Sequence, residues 1–313
     1  MNVTVSCIGD LLVEIMRKNV GDPLDKPGIF LGPYPSGASG IFIDAISRLG
    51  INTCFIGTVG KDDFGKLIIE RLKKDGVNIS NIKETEDYTT GVAFVTYFED
   101  GSRKFIYHLA NAATGQIYPE DINSENISNS DYLHIVGSTI SINKNCRKSI
   151  EKAIKIIDKF KVKITFDPNL RPELLRNQSI KSLFSLIITK SYIVFPTQQE
   201  LEVLTGEKNL EKAAQKLLGL GPEIIAIKQG KKGSIIYTDD DNFHSPPFKV
   251  KEVDSTGAGD CYCAGFISAI IKGMDLKNAA RFANAVGALA VTKKGPMEGA
   301  PTIEEVNNFM SKF

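Results

Sequence analysis

Residues 254–260 read Asp-Ser-Thr-Gly-Ala-Gly-Asp and lead at once into the apolar run CYCAGFISAII. This is a loop entering a helix. Gly257 and Gly259 let the backbone turn its amides toward an anion, and Asp260 is set at the helix start. Such a place can hold a phosphate while a carboxylate takes a proton from an attacking hydroxyl, which is most of what phosphoryl transfer needs from a protein. The plainer alternative is a carboxylate that only caps its helix.

If a nucleotide supplies the phosphate, the usual signatures for holding it are missing. No GxxxxGK[ST] string occurs, and GTVGKDDFG at 57–65 lacks Rossmann spacing. The full 254–260 string, with Asp254 and Thr256 ahead of the glycines and a helix after them, closely resembles the signature of the ribokinase-like (PfkB) carbohydrate kinases. The resemblance spans nearly the whole chain. GTVGKDDFG, FDPNLRP at 166–172, ELEVLTG at 200–206, KQGKKGS at 228–234 and FANAVGALAV at 282–291 occur in the family's order.

The resemblance implies that Asp260 is the catalytic base and that the amides of Gly257, Ala258 and Gly259 form an anion hole for the charge developing on the transferred phosphoryl. It implies ATP as the donor, met by Thr256, Lys228, Gly230 and Gly233, with Asn284 where the family often contacts adenine. A solvated lysine at a strand end and a helix-surface asparagine are the structural alternatives for Lys228 and Asn284. Glu200, in PTQQE, falls in the family's magnesium-linked motif, although Thr197 stands where an asparagine is usual. Mg²⁺ keeps several waters and needs few protein carboxylates, so Glu200 alone can serve. A monovalent cation such as K⁺ is a further expectation.

Three segments are expected at the phosphoryl acceptor. In CIGDLLVEIM, Glu14 falls where many members have an Asp that grips sugar hydroxyls with its two oxygens; a glutamate facing water is the alternative. FDPNLRP resembles the fructokinase and 2-keto-3-deoxygluconate kinase branch. It places Asn169 and Arg171 after a strand end, where Arg171 would hold a carbonyl, hydroxyl or carboxylate. Where most members show Gly-Gly and an asparagine four residues later, this chain has Ser36-Gly37-Ala38-Ser39-Gly40-Ile41. Gly37 still permits close approach to a sugar, but Ile41 cannot hydrogen-bond, so acceptor specificity is expected to be unusual. The longer string GPYPSGASGIFID looks most like ketohexose kinases of the tagatose type. Tyr88, Arg103 and Tyr107 are placed to cover the sugar from above, with exposed strand surface as the alternative.

These residues need a scaffold, and the pattern of the chain supplies one. Apolar runs alternate with helical patterns: NVTVSCIGDLL, a helix at 39–49, TCFIGTVG, a helix at 63–75, YLHIVGS, a helix at 146–160, KITFDPN, a helix at 179–189, YIVFP, EIIAIKQG and GSIIYT. The alternation predicts a doubly wound α/β core, its mostly parallel sheet flanked by helices. Residues 11–35 and 88–110 break the rhythm with aromatic and β-branched residues around turns. They predict a small antiparallel sheet serving as a lid on a core of 1–10, 36–87 and 111–313.

Composition narrows the partners. With 38 basic against 37 acidic residues the formal charge is +1, so no strong field invites nucleic acid or an anionic membrane. No apolar run is long enough to span a bilayer. The five scattered cysteines and three isolated histidines predict reduced, mostly buried thiols in a cytoplasmic protein and no metal cluster. The reading is an ATP-dependent sugar kinase acting on a ketohexose such as fructose or tagatose, or on 2-keto-3-deoxygluconate, with a homodimer through the lid as a further expectation. Its rivals are a nucleoside or vitamin-like kinase of the same fold and a non-catalytic sugar- or nucleotide-binding regulator.

Overall fold

The computed structural model describes residues 4–170 and 177–313. The chain begins with β1 (Val5–Ile8), β2 (Leu12–Arg17), β3 (Phe30–Ser36), α1 (Ala38–Arg48), β4 (Thr53–Gly60), α2 (Asp63–Lys74), β5 (Asn78–Thr85), β6 (Gly91–Tyr97) and β7 (Arg103–His108). It continues through α3 (Ser124–Ile127), β8 (Tyr132–Val136), α4 (Gly137–Ile142), α5 (Lys144–Ile157), β9 (Lys163–Asp167), α6 (Gln178–Lys190) and β10 (Ser191–Val194). The last part holds α7 (Gln198–Thr205), α8 (Leu210–Leu218), β11 (Ile224–Lys228), β12 (Ser234–Tyr237), β13 (Asn242–Ser245), α9 (Ala258–Ile271), α10 (Leu276–Ala290) and α11 (Ile303–Met310).

Nine strands form the large sheet in the order β13-β12-β11-β10-β9-β8-β1-β4-β5, parallel from β11 to β5 and antiparallel at β12 and β13. The parallel strands are apolar on both faces, as burial under helices requires; all eight residues of β4 are buried. One apolar cluster joins one face to α1, α9 and α10, and a second joins the other face to α5, α6 and α8. Helix α9 is apolar around its whole circumference because it packs between α1 and α10, and Asp260 through Ala269 are all buried. Among the described residues no helix is long and apolar enough to cross a membrane.

The four remaining strands pair in the order β3-β2-β6-β7. A purely antiparallel small sheet, as expected from the turns, is not what forms. The two hairpins are antiparallel, but the central pair, β2 with β6, is parallel, since both strands leave the large sheet in the same direction. The strand β5 was likewise not expected. It reads NISNIKET, with no apolar face of its own in the sequence, yet it pairs with β4 as the edge of the large sheet.

Candidate active site

Strand order reverses direction at β1, whose neighbours are β4 on one side and β8 on the other. Ligands of open α/β sheets bind outside the carboxyl ends of the strands at such a point. Here those ends deliver Asp10 after β1, Ser138 after β8, Asp167 and Asn169 from β9, Thr197 after β10 and Lys228 from β11. All line one cleft of about 880 Å³. Leu12 and Glu14 of β2, Ala93 of β6 and Arg103, Phe105 and Tyr107 of β7 form its other wall, because alternate residues of these strands face the cleft.

At one end of the cleft, α9 starts at Gly257, whose φ of 78° is left-handed backbone. A side chain there would also collide with Pro296 O, 2.5 Å from the position of a Cβ. Gly257, Gly259 and Asp260 line the cleft. Ala258 does not, and its N–H closes a turn by donating to Ser255 O at 3.4 Å. Asp260 is 8% exposed. Its burial pushes the carboxyl well above the usual carboxylate range; Asp167 and Asp10 add to the shift and Lys228 opposes it. A buried carboxyl that holds its proton more tightly than usual, facing a cleft beside a helix N-terminus, is chemically suited to take a proton from a hydroxyl.

Lys228 crosses in front of this helix start. A Cβ on Gly259 would lie 3.5 Å from its Nζ, and the ammonium donates to Asp167 Oδ2 at 2.6 Å. Burial alone would lower the Lys228 pKa, but Asp167 outweighs it and the lysine is held charged. Asp167 also accepts from the Cys263 thiol at 3.5 Å and from Asn169 N at 3.1 Å. The cleft therefore offers a fixed cation beside backbone N–H groups, an arrangement that fits phosphate.

At the other end stands Glu14, 3% exposed. Its Oε2 accepts from Ser36 Oγ at 3.3 Å, while Oε1 is buried without a partner. Burial, together with the charge of Asp254 and against that of Arg103, pushes its carboxyl up to about 7. The neighbouring loop is held by Asp10. Its Oδ2 accepts from Ala38 N at 3.0 Å, and its Oδ1 accepts from Ser39 Oγ at 2.8 Å, Thr139 Oγ1 at 3.0 Å and Ser138 Oγ at 3.2 Å. Gly37 caps α1 at φ 105°, and its missing Cβ would lie 2.3 Å from Asp10 O. Ile41 lines the cleft at 3% exposure, with Cγ2 at 3.0 Å from where a Cβ on Gly257 would be. Asn169 also lines the cleft, with a left-handed φ of 37°.

Of the residues expected at the site, Asp260, Gly257, Gly259, Glu14, Gly37, Arg103, Tyr107, Asn169, Lys228, Gly230, Thr256 and Glu200 all meet on this one cleft. Beside Ala258, three further expectations are revised. Asn284 does not line the cleft, because its amide nitrogen donates to Ser245 O, Ser245 Oγ and Pro246 O at 3.0–3.1 Å and ties α10 to the chain after β13. Gly233 does not line it either, being packed at the turn into β12 with its Cβ position 2.2 Å from Ser245 O. Tyr88 is exposed outside the cleft. Glu200 has a structural duty beside any other. Oε2 accepts from Thr197 N at 2.7 Å in a capping box, and Oε1 accepts from Leu170 N at 2.6 Å. Arg171 lies outside the described residues.

Sequence reasoning missed Asp10, Asp167 and Tyr97. Asp10 sits beside the glycine at the end of a strand, and Asp167 lies inside the FDPN string, so position at a strand end was the available signal for both. Tyr97 carried none. A divalent ion fits these residues in one manner. Among the described residues no three His, Cys, Asp or Glu side chains converge on a point that could hold a metal; Mg²⁺ keeps several waters and needs few protein carboxylates, so Glu200 would serve beside water and phosphate oxygens.

Comparison with known proteins gives a consistent result. A family model described as "pfkB family carbohydrate kinase" matches residues 7–303. The probable fructokinase-3 of Arabidopsis thaliana is 31% identical over 311 residues, covering 96% of this chain and 90% of its own. A 5-dehydro-2-deoxygluconokinase of Clostridium botulinum is 29% identical over 313 residues, covering 97% and 92%. An E. coli protein provisionally called ribokinase II, solved in complex with ATP and Mg²⁺, superposes with a TM-score of 0.95 at 37% identity, covering 99% of this chain and 100% of its own.

Proposed function

The chain belongs to the pfkB family of carbohydrate kinases, and we propose that it transfers the γ-phosphoryl of ATP to a hydroxyl of a ketohexose or of a keto-deoxy sugar acid, with Asp260 as the base. It is an ATP-dependent sugar kinase. The observation that carries the assignment of roles is the meeting, in a single cleft, of Asp260 at the α9 start with the polar wall of Asp10, Glu14 and Asn169. One end fits a transferring phosphoryl and the other a polyhydroxylated acceptor.

In this reading the acceptor hydroxyl lies against Asp260, which takes its proton as the oxygen attacks phosphorus. The N–H groups at Gly257 and Gly259 face the equatorial oxygens, and Lys228 neutralises charge on the phosphate chain. Glu200 is the carboxylate that would hold Mg²⁺ through water, and Asp167 keeps Lys228 in place. When bound, the ion supplies charge neutralisation on the triphosphate. Glu14 Oε1, buried without a partner, accepts a sugar hydroxyl, and Arg103, Phe105 and Tyr107 close over the acceptor as a lid. Ring stacking of Phe105 on Tyr107, with centroids 5.1 Å apart, supports a firm apolar roof there. Phe30 and Ile106 on the outer face of the small sheet are exposed, which suits a second copy of the chain seated lid to lid.

The names of the relatives, a fructokinase and a 5-dehydro-2-deoxygluconokinase, support both substrate classes equally. An ATP-consumption assay on purified protein with fructose, tagatose, 5-dehydro-2-deoxygluconate and 2-keto-3-deoxygluconate separates them, run with and without K⁺. Turnover with a nucleoside alone would overturn the reading.

A further inference from the structure

Two residues at the tip of the small sheet reach the loop that begins the catalytic helix. Tyr97 ends β6, Arg103 opens β7, and the two are cross-strand partners. The Tyr97 hydroxyl donates to Asp254 Oδ1 at 2.9 Å and lies 2.6 Å from Thr256 Oγ1, while Arg103 Nη1 donates to the same Thr256 oxygen at 3.2 Å. An arginine only donates and a carboxylate only accepts, so these contacts run in one direction. Arg103 donates to Thr256, Thr256 to Tyr97, and Tyr97 to Asp254. Hydrogen bonds aligned head to tail in this way strengthen one another.

The far end of the chain of bonds is anchored in the core. Asp254 Oδ1 also accepts from Thr256 N at 3.0 Å, and its Oδ2 accepts from Gly295 N at 3.0 Å. Asp254 and Thr256 are buried, and the next residue is Gly257. Burial, with Asp254 and Glu14 close by, pushes the Tyr97 phenol upward, so it keeps the proton that the relay needs.

We propose that Tyr97 and Arg103 are positioning residues that hold the Asp254–Thr256 turn, and through it Gly257–Asp260, in the reacting arrangement. The inference rests on the sugar-kinase reading and deepens it.

The test is a double-mutant cycle on Tyr97→Phe and Thr256→Val, with kcat, both KM values and melting temperature measured for each protein. Tyr97→Phe is expected to lower kcat about tenfold while both KM values stay within about twofold. The double variant should be no slower than the slower single variant, because both break one chain of bonds. Thr256→Ser, which keeps the hydroxyl, should recover most of the kcat that Thr256→Val loses. A Tyr97→Phe protein with wild-type kcat, or a double variant whose deficits multiply, overturns the proposal. Wild-type protein that turns over no sugar in the panel would instead overturn the kinase reading on which the proposal rests.

Discussion

Lys228 Nζ stands 2.6 Å from Asp167 Oδ2, with the lysine side chain 12% and the aspartate 2% exposed. The pair keeps a cation ready for phosphate in a place where neither charge would be tolerated alone. Removing the cation strands a buried carboxylate, so Lys228→Met is expected to lower the unfolding free energy by about 3–5 kcal/mol. Adding Asp167→Asn should recover most of that loss while leaving the enzyme impaired. Denaturant unfolding of the three proteins checks this, and a double variant no more stable than Lys228→Met would contradict it.

Asp10 gathers donors from two segments, Ala38 and Ser39 on one side and Ser138 and Thr139 on the other. An asparagine there would turn a donor toward donors. Asp10→Asn should therefore loosen the acceptor end of the cleft, raising the sugar KM about tenfold or more and leaving the ATP KM within about twofold. Steady-state kinetics with each substrate varied in turn is the measurement. Equal changes in both KM values would place the residue outside the acceptor site.

Glu14 couples acceptor binding to stability. Its carboxyl is raised from 4.5 to about 7, so the folded protein holds this proton more tightly than the unfolded chain does. The group's stabilising share is present in full below about pH 4.5 and is lost as pH rises through about 7. Glu14→Gln carries no such dependence. It should gain on the wild type by roughly 3 kcal/mol, to order of magnitude, between about pH 5 and about pH 8, while binding sugar less tightly. Melting curves at the two pH values test the sign, and a constant difference between the proteins would contradict it.

How much of the fold and site is legible in the sequence depends on the range of the interactions involved. The 254–260 loop is legible because its glycines, its carboxylate and its helix are contiguous. The buried parallel strands are legible because a sheet covered on both faces requires continuous apolar runs between helical patterns. Asn284 was misjudged because partners 38 and 39 residues away in the chain occupy its amide. Asp10 was missed because two of its four hydroxyl and amide partner residues lie more than a hundred residues away. β5 was missed because an edge strand with a polar outer side carries no apolar alternation. The parallel pairing of β2 with β6 depends on where two segments leave the large sheet, which no local pattern reports.

Ile41 belongs to the cleft and the core together, since it lines the one and is a buried member of the apolar cluster that joins α1, α9 and α10. Ile41→Asn should then do two things. It should cost about 1–3 kcal/mol through a buried amide without a full set of partners, and it should change the ranking of accepted sugars. Melting temperature and a sugar panel measured on the same preparation decide the matter. A lower melting temperature with an unchanged ranking would make the residue one of packing alone.

Asp260 as the base for transfer to a sugar hydroxyl is tested most directly by Asp260→Asn. The substitution keeps the size of a side chain that lies at the third position from the Gly257 cap of α9. Turnover should fall by about 10²–10⁴-fold while sugar and ATP binding, measured by calorimetry on the same protein, change little. A variant that binds both substrates and keeps most of the wild-type kcat would show that the proton goes elsewhere, and would contradict the assignment.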